Sequence, residues 1–120
     1  RRGLAQARSL RRFLSDIAGL GLDIVISELD VREHLFDETI TRRDQTVAEN
    51  AERFVDIALD EPRLRGIVGW GMSDKYSWLL WFHEKRNRGL MYDETLQPKP
   101  LRWALARATL ALSRLACAVA

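Results

Sequence analysis

Apolar positions along the chain alternate between two periods, and the switches between them mark out its elements. From about Leu4 to Ala18, Leu10, Phe13, Leu14 and Ile17 recur at i, i+3, i+4 and i+7, which predicts an amphipathic helix buried along that stripe. Gly19-Leu20-Gly21 supplies a stop and a turn. Asp23–Val31 then reads Asp-Ile-Val-Ile-Ser-Glu-Leu-Asp-Val, a short aliphatic run with the pattern of a strand covered on both faces. Period-2 alternation puts Ile24, Ile26, Glu28 and Asp30 on one side and Val25, Ser27, Leu29 and Val31 on the other. After a polar loop, a second helix is expected from about Arg42 to Leu59, with Thr41 and Asp44 as a start resembling a capping box. Val47, Ala51, Phe54, Val55, Ala58 and Leu59 line its inner face, and Glu61-Pro62 closes it. Gly66–Met72 is a second strand, with Val68 and Trp70 on one face and Ile67 on the other. The stretch from Ser73 to about Gln97 is too long for a simple connector. Pro98-Lys99-Pro100 opens a last helix, whose apolar side carries Leu101, Leu105, Ala108, Leu112, Leu115 and Val119.

Strand, helix, strand at this spacing is a βαβ unit, which is parallel and right-handed. Both strands therefore finish at the same edge of the sheet. Glu28 and Trp70 come to that edge together, where α/β proteins build their sites. A carboxylate that continues an apolar row is costly to bury without a partner, so Glu28 belongs at a cleft or in an ion pair. Two parallel strands also leave unpaired backbone groups at their edges, so the order α-β-α-β-α reads as part of a larger sheet.

Composition narrows the function classes more than it selects one. Apolar residues make up 47% and charged residues 30%, which suits one globular domain over residues 1–120. Nineteen basic and 17 acidic residues leave a net charge of +2, too balanced to imply a polyanion partner. Arg1, Arg2, Arg8, Arg11 and Arg12 lie on or beside the first helix, but no aromatic or Gly-rich element accompanies them, so a solvated face is expected and nucleic acid is not. The lone cysteine, Cys117, excludes an internal disulfide framework and reads as a small buried hydrophobe. His34 and His83 lack ligand-like spacing and are expected on the surface, so no metal and no cofactor is expected. No apolar run is long enough to span a membrane, and any export signal is expected outside these residues.

Ile26-Ser27-Glu28-Leu29-Asp30-Val31 and Trp70-Gly71-Met72-Ser73-Asp74-Lys75-Tyr76-Ser77-Trp78, taken together, resemble the last two strand ends of family-10 glycoside hydrolases, the retaining endo-β-1,4-xylanases. Gln97-Pro98-Lys99-Pro100 resembles the lead into that family's eighth helix. The resemblance implies a (β/α)8 TIM barrel, with this chain as helix 6, strand 7, helix 7, strand 8 and helix 8. By the same match Glu28 resembles the catalytic nucleophile that forms a covalent glycosyl-enzyme, and Asp30 the supporting carboxylate that helps hold a histidine. Trp70 and Trp78 resemble the indoles that wall the sugar subsite beside the scissile bond, whereas Trp81 and Trp103 read as packing residues. The chemistry suits those roles. Retaining glycosidases use two carboxyl groups roughly 5–5.5 Å apart, and indole faces match the apolar faces of pyranose rings.

The family's other catalytic glutamate sits in a Trp-Asp-x-x-x-Glu-like context that these 120 residues lack, as they lack the histidine for Asp30. A whole barrel needs about 250 residues. The expectation is a C-terminal portion of a xylanase that does not hydrolyse xylan by itself, its substrate class being xylan or xylo-oligosaccharides. Two alternatives stand beside it: a non-catalytic carbohydrate-binding remnant, and an interaction module that self-associates or complements a barrel fragment through exposed strand edges. The resemblance implies a secreted or periplasmic parent.

Overall fold

The computed structural model describes residues 2–82 and 85–118, with side chains over 3–80 and 85–110. Helix α1 (Arg2–Gly19) leads into strand β1 (Ile24–Leu29), helix α2 (Ile40–Leu59), strand β2 (Leu64–Gly69), two short 3-10 turns (Asp74–Tyr76 and Trp78–Phe82) and helix α3 (Pro100–Ala118). The strands pair in parallel, as the βαβ reading requires.

Each helix owes its seat to an apolar stripe. Leu14 of α1 packs with Ile24 of β1 and Ala58 of α2, with Leu10, Ile17, Ile26 and Leu64 around them. Phe13 does not join this cluster and is 60% exposed, because the stripe the chain covers is narrower than the periodic one. The α1 turn closes as expected, through Leu20 N–H to Ile17 O (3.0 Å) and Gly21 N–H to Ala18 O (2.9 Å). A second cluster joins α2 and α3: Val47, Ala48 and Ala51 against Leu101 and Ala104. Alanine at three of those five positions lets the helix backbones approach closely, while fully burying a valine or leucine contributes about 1.5–3 kcal/mol.

Helix α2 begins earlier than the capping-box reading had it. Thr39 is the N-cap, extended at φ −62° and ψ 150°, and its hydroxyl accepts from Arg42 N–H at 3.3 Å. Thr41 lies inside the helix, and Asp44 is drawn away from any capping role by Arg88, as described below. Strand β2 also starts earlier and stops sooner than expected, leaving Trp70 just beyond its end.

The pairing register is interrupted twice, and the second interruption matters for the site. Ile26 pairs with Ile67 and Leu29 with Gly69, so three steps along β1 match two along β2. This bulge breaks the alternation. Ser27 and Glu28 are consecutive exposed residues, and Leu29 takes the more covered position. Regular alternation is interrupted there, yet Ile26, Glu28 and Asp30 still line one cavity, joined by Leu29 and Val31, which were expected on the other face. Val25 and Val68 stay open on one side of the sheet, the side opposite the helices. His83 and Val119 lie outside the described residues, and so do the side chains of Trp81, Leu112, Leu115 and Cys117.

Candidate active site

The four residues singled out in the sequence lie at the C-terminal ends of the two strands. Trp70 N–H donates to Leu29 O at 2.9 Å, so the backbone on either side carries Glu28 and Asp30 next to Trp70. Trp78 reaches back from the following loop, and its Nε1 donates to Asp30 Oδ2 at 2.6 Å. Glu28 and Asp30 line one cavity of about 250 Å³ with Ile26, Leu29, Val31, Asn50, Ala51 and Phe54. A larger cavity of about 510 Å³ runs between the strands and α3, walled by Leu29, Ile67, Met91 and Leu105 among others. Neither indole lines either of these cavities. Structure thus joins Asp30 to Trp78 and Glu28 to Asp30, and sets Trp70 beside them through the backbone alone.

All four side chains face water to some degree. Trp70 is 48% and Trp78 is 44% exposed, and Glu28 is open with no hydrogen bond or ion pair among the described residues. Trp103, read as a packing residue, is 53% exposed on α3, with the Arg102 guanidinium carbon 5.4 Å from its ring centroid. His34 is exposed in the β1–α2 loop, as expected. Among the described residues no group of three or more His, Cys, Asp or Glu side chains is placed to hold a metal, and no helix is long and apolar enough to cross a membrane.

Beneath the open site lies a set of buried charges that periodicity did not reveal. Asp74, fully buried in the motif after β2, accepts from Lys99 Nζ at 2.7 Å and from Leu90 N–H at 3.0 Å. Lys99 also donates to Arg88 O at 2.5 Å and lies 3.6 Å from Asp44. Arg88 grips Asp44 with both Nε and Nη2, each at 2.7 Å. This is the bidentate geometry that suits arginine to carboxylates. Arg43 holds Glu33 mainly through one oxygen, with Nε at 2.9 Å and Nη2 both on Oε1 and Nε 3.2 Å from Oε2, and donates to Arg86 O at 2.7 Å. The cluster therefore ties together the loops after both strands and the starts of α2 and α3. Burial pushes the Asp74 carboxyl above its ordinary value, outweighing Lys99, Leu90 and Arg88, which pull it down.

The loop after β2 is fitted against β1 at backbone level. Val31 N–H donates to Gly89 O at 3.2 Å, and Asn87, fully buried, accepts from Gly89 N–H at 2.9 Å. A Cβ at position 89 would stand 1.8 Å from Val31 O, so only glycine permits this approach. The signals available in sequence were slight: Asp74 inside the aromatic motif, Lys99 between two prolines, and Asn87 and Gly89 in an otherwise unpatterned loop.

The sequence profile of glycosyl hydrolase family 10 matches residues 2–108. The endo-1,4-beta-xylanase B of Thermotoga neapolitana is 36% identical over 97 residues, which are 81% of this chain and 28% of that protein. A thermostable celloxylanase of Thermoclostridium stercorarium is 37% identical over 106 residues, 81% of this chain and 26% of its own length. The crystal structure of xylanase 10B from Thermotoga petrophila RKU-1 in complex with xylobiose superimposes with a TM-score of 0.77 at 37% identity, covering 85% of this chain and 31% of that one. The chain spans just over a quarter of the length of these two curated relatives, and its helices and parallel strand pair correspond to part of the (β/α)8 barrel that the family implies. On the profile match, the identity and the shared fold, this chain belongs to glycosyl hydrolase family 10.

Proposed function

We propose that these residues form the nucleophile-bearing part of a retaining endo-1,4-β-xylanase barrel, as its helix 6, strand 7, helix 7, strand 8 and helix 8. The reading is supported above all by one observation: an exposed Glu28, unpartnered among the described residues, on a bulged strand end, with Trp70 held beside that end by the Trp70–Leu29 backbone bond. A glutamate with no competing partner among the described residues is available to attack an anomeric carbon. Its bulge fixes the direction of approach, as catalytic geometry requires. Trp70 and Trp78, each about half exposed, offer flat apolar faces to sugar rings and keep water from a glycosyl intermediate. Asp30 supports the site from the same cavity as Glu28.

Retention needs a second carboxyl that first donates and then removes a proton. No glutamate of these 120 residues stands in the sequence context of that group, so the proposal assigns it to a barrel segment beyond them. The 120 residues alone then lack general-acid catalysis, about 10²–10⁴-fold in rate, and the remote subsites whose binding energy drives the chemistry. Xylan or xylo-oligosaccharide is the substrate class, and the xylobiose bound by the Thermotoga petrophila relative makes short xylo-oligosaccharides the ligands to try first.

The test has two arms. Xylotriose added to the 120-residue chain is expected to shift indole emission with no release of reducing sugar. In a polypeptide that also carries the remaining barrel, a 2-fluoro-xylobioside should label Glu28, and Glu28→Ala should cut turnover by on the order of 10⁴-fold or more. Label on another residue, or full turnover by Glu28→Ala, would remove the assignment. Indole response to sugar without turnover in the whole barrel would favour a non-catalytic carbohydrate-binding role.

A further inference from the structure

We propose that Asp30 is the positioning residue of Trp78: its carboxylate spans the gap between the first strand's end and the loop after the second, and sets the angle of the indole ring. The inference rests on the proposed site, because it gives the ring a sugar face to present. The observation behind it is the 2.6 Å bond from Trp78 Nε1 to Asp30 Oδ2, which joins residues 48 positions apart in sequence.

The backbone of Trp78 is already fixed without Asp30. Ser77, 3% exposed, precedes it, and Leu79, 1% exposed, follows it. The Ser77 hydroxyl accepts from Leu79 N–H at 3.2 Å, and Ser77 N–H donates to Asp74 O at 3.3 Å. Asp74 is in turn anchored by Lys99. These contacts act on the backbone, whereas the bond from Asp30 reaches the edge of the indole ring itself, in a residue that is 44% exposed. An indole carries one N–H donor at its edge, so a single acceptor at that edge selects one ring orientation among the rotamers. A carboxylate acceptor makes the bond charge-assisted and stronger than a neutral one. Ordering the ring before sugar arrives removes a rotamer cost from binding, which is what preorganisation means for an aromatic wall. Asp30 itself follows a strand whose end is pinned by the Val31–Gly89 bond, so the acceptor is rigid too.

The experiment uses the 120-residue chain and follows indole N–H resonances by heteronuclear NMR, with Trp78→Phe identifying the signal of Trp78. Asp30→Ala should move that signal and raise its solvent exchange rate about tenfold, while the backbone amides of residues 73–77 stay in place. Asp30→Asn keeps an acceptor oxygen without the charge and should restore the signal in part. A merely structural Asp30 would disturb the loop amides and the ring together, and the conservative variant would not rescue the ring alone. An unmoved Trp78 signal in both variants, or a moved one with the loop amides displaced to match, overturns the proposal. The ring signal is read without sugar, so it decides this point independently of the site. A wild-type chain that ignores xylotriose while Asp30→Ala releases the ring would count against the sugar subsite and leave the Asp30–Trp78 link standing.

Discussion

Glu28 and Asp74 are both carboxylates at the C-terminal ends of the parallel strands, yet they live under opposite conditions. Asp74 has no exposed surface and is held by an ammonium and a backbone N–H. Glu28 is open to solvent and, among the described residues, has no partner. A buried charge survives only when it is paired and hydrogen-bonded, so every acceptor on Asp74 is already committed to the fold. An exposed carboxylate needs no such commitment, and its lone pairs remain available to a ligand. The same strand ends thus hold a structural floor and, on the proposed function, a working surface, divided by burial.

The sharpest way to break the comparison is to remove the buried partner. Asp74→Ala leaves the Lys99 ammonium, 4% exposed, with Asp44 at 3.6 Å and the Arg88 carbonyl as its remaining partners among the described residues. Breaking such a pair costs about 3–5 kcal/mol, so unfolding by urea should shift to far lower denaturant or leave no folded baseline. Glu28→Ala in the same assay should move the midpoint little, since among the described residues Glu28 makes no hydrogen bond or ion pair. If both variants destabilise alike, the division between floor and working surface is wrong.

Gly89→Ala should come next. The added Cβ would overlap Val31 O at 1.8 Å, and because the obstacle is backbone on both sides, the loop must move and the Val31–Gly89 bond must lengthen or break. Forced overpacking of this kind costs about 1–3 kcal/mol, to be read from the same urea curves. A variant as stable as the parent would mean that the loop does not rest on the strand end as described.

The two regions also differ in how far the sequence revealed them. The working surface was legible because its residues are local. Glu28 and Asp30 end one apolar run, Trp70 follows another, and a βαβ unit brings those ends together by topology alone. The structural floor was not. Asp74 meets Lys99 across 25 positions and Arg88 meets Asp44 across 44, with both pairs in or beside a segment that has no periodic pattern. Burial of a charge depends on the partner it finds, and no local window contains that partner. The bulge in β1 escaped for a related reason. Alternation assumes an unbroken ladder, and a residue gained against the neighbouring strand appears only when both strands are in view. Phe13 and Trp103 show the converse, in which an apolar or aromatic residue at helical spacing is read as packed although, among the described residues, it stays 60% and 53% exposed respectively.

The smallest effect is expected at the opposite ends of the strands, where Asp23 meets Arg65 at 2.9 Å and Arg63 at 3.5 Å in the open. The hydrogen bond from Arg65 holds the Asp23 carboxyl below its ordinary value of 3.8. Its stabilising contribution is therefore present above that value and fades as pH falls through the lowered one. Asp74 has the opposite sign. With its carboxyl pushed up, the folded state keeps a proton that the unfolded chain has released, so its contribution weakens as pH rises from 3.8 toward the raised value. Asp23→Asn should leave the urea midpoint at neutral pH unchanged within error and flatten only the acid side of the stability curve. Added salt should erase even that difference, because screening acts on exposed pairs first. A neutral-pH loss comparable to that of Asp74→Ala would show that exposure, as read from the structure, does not separate the two kinds of charge.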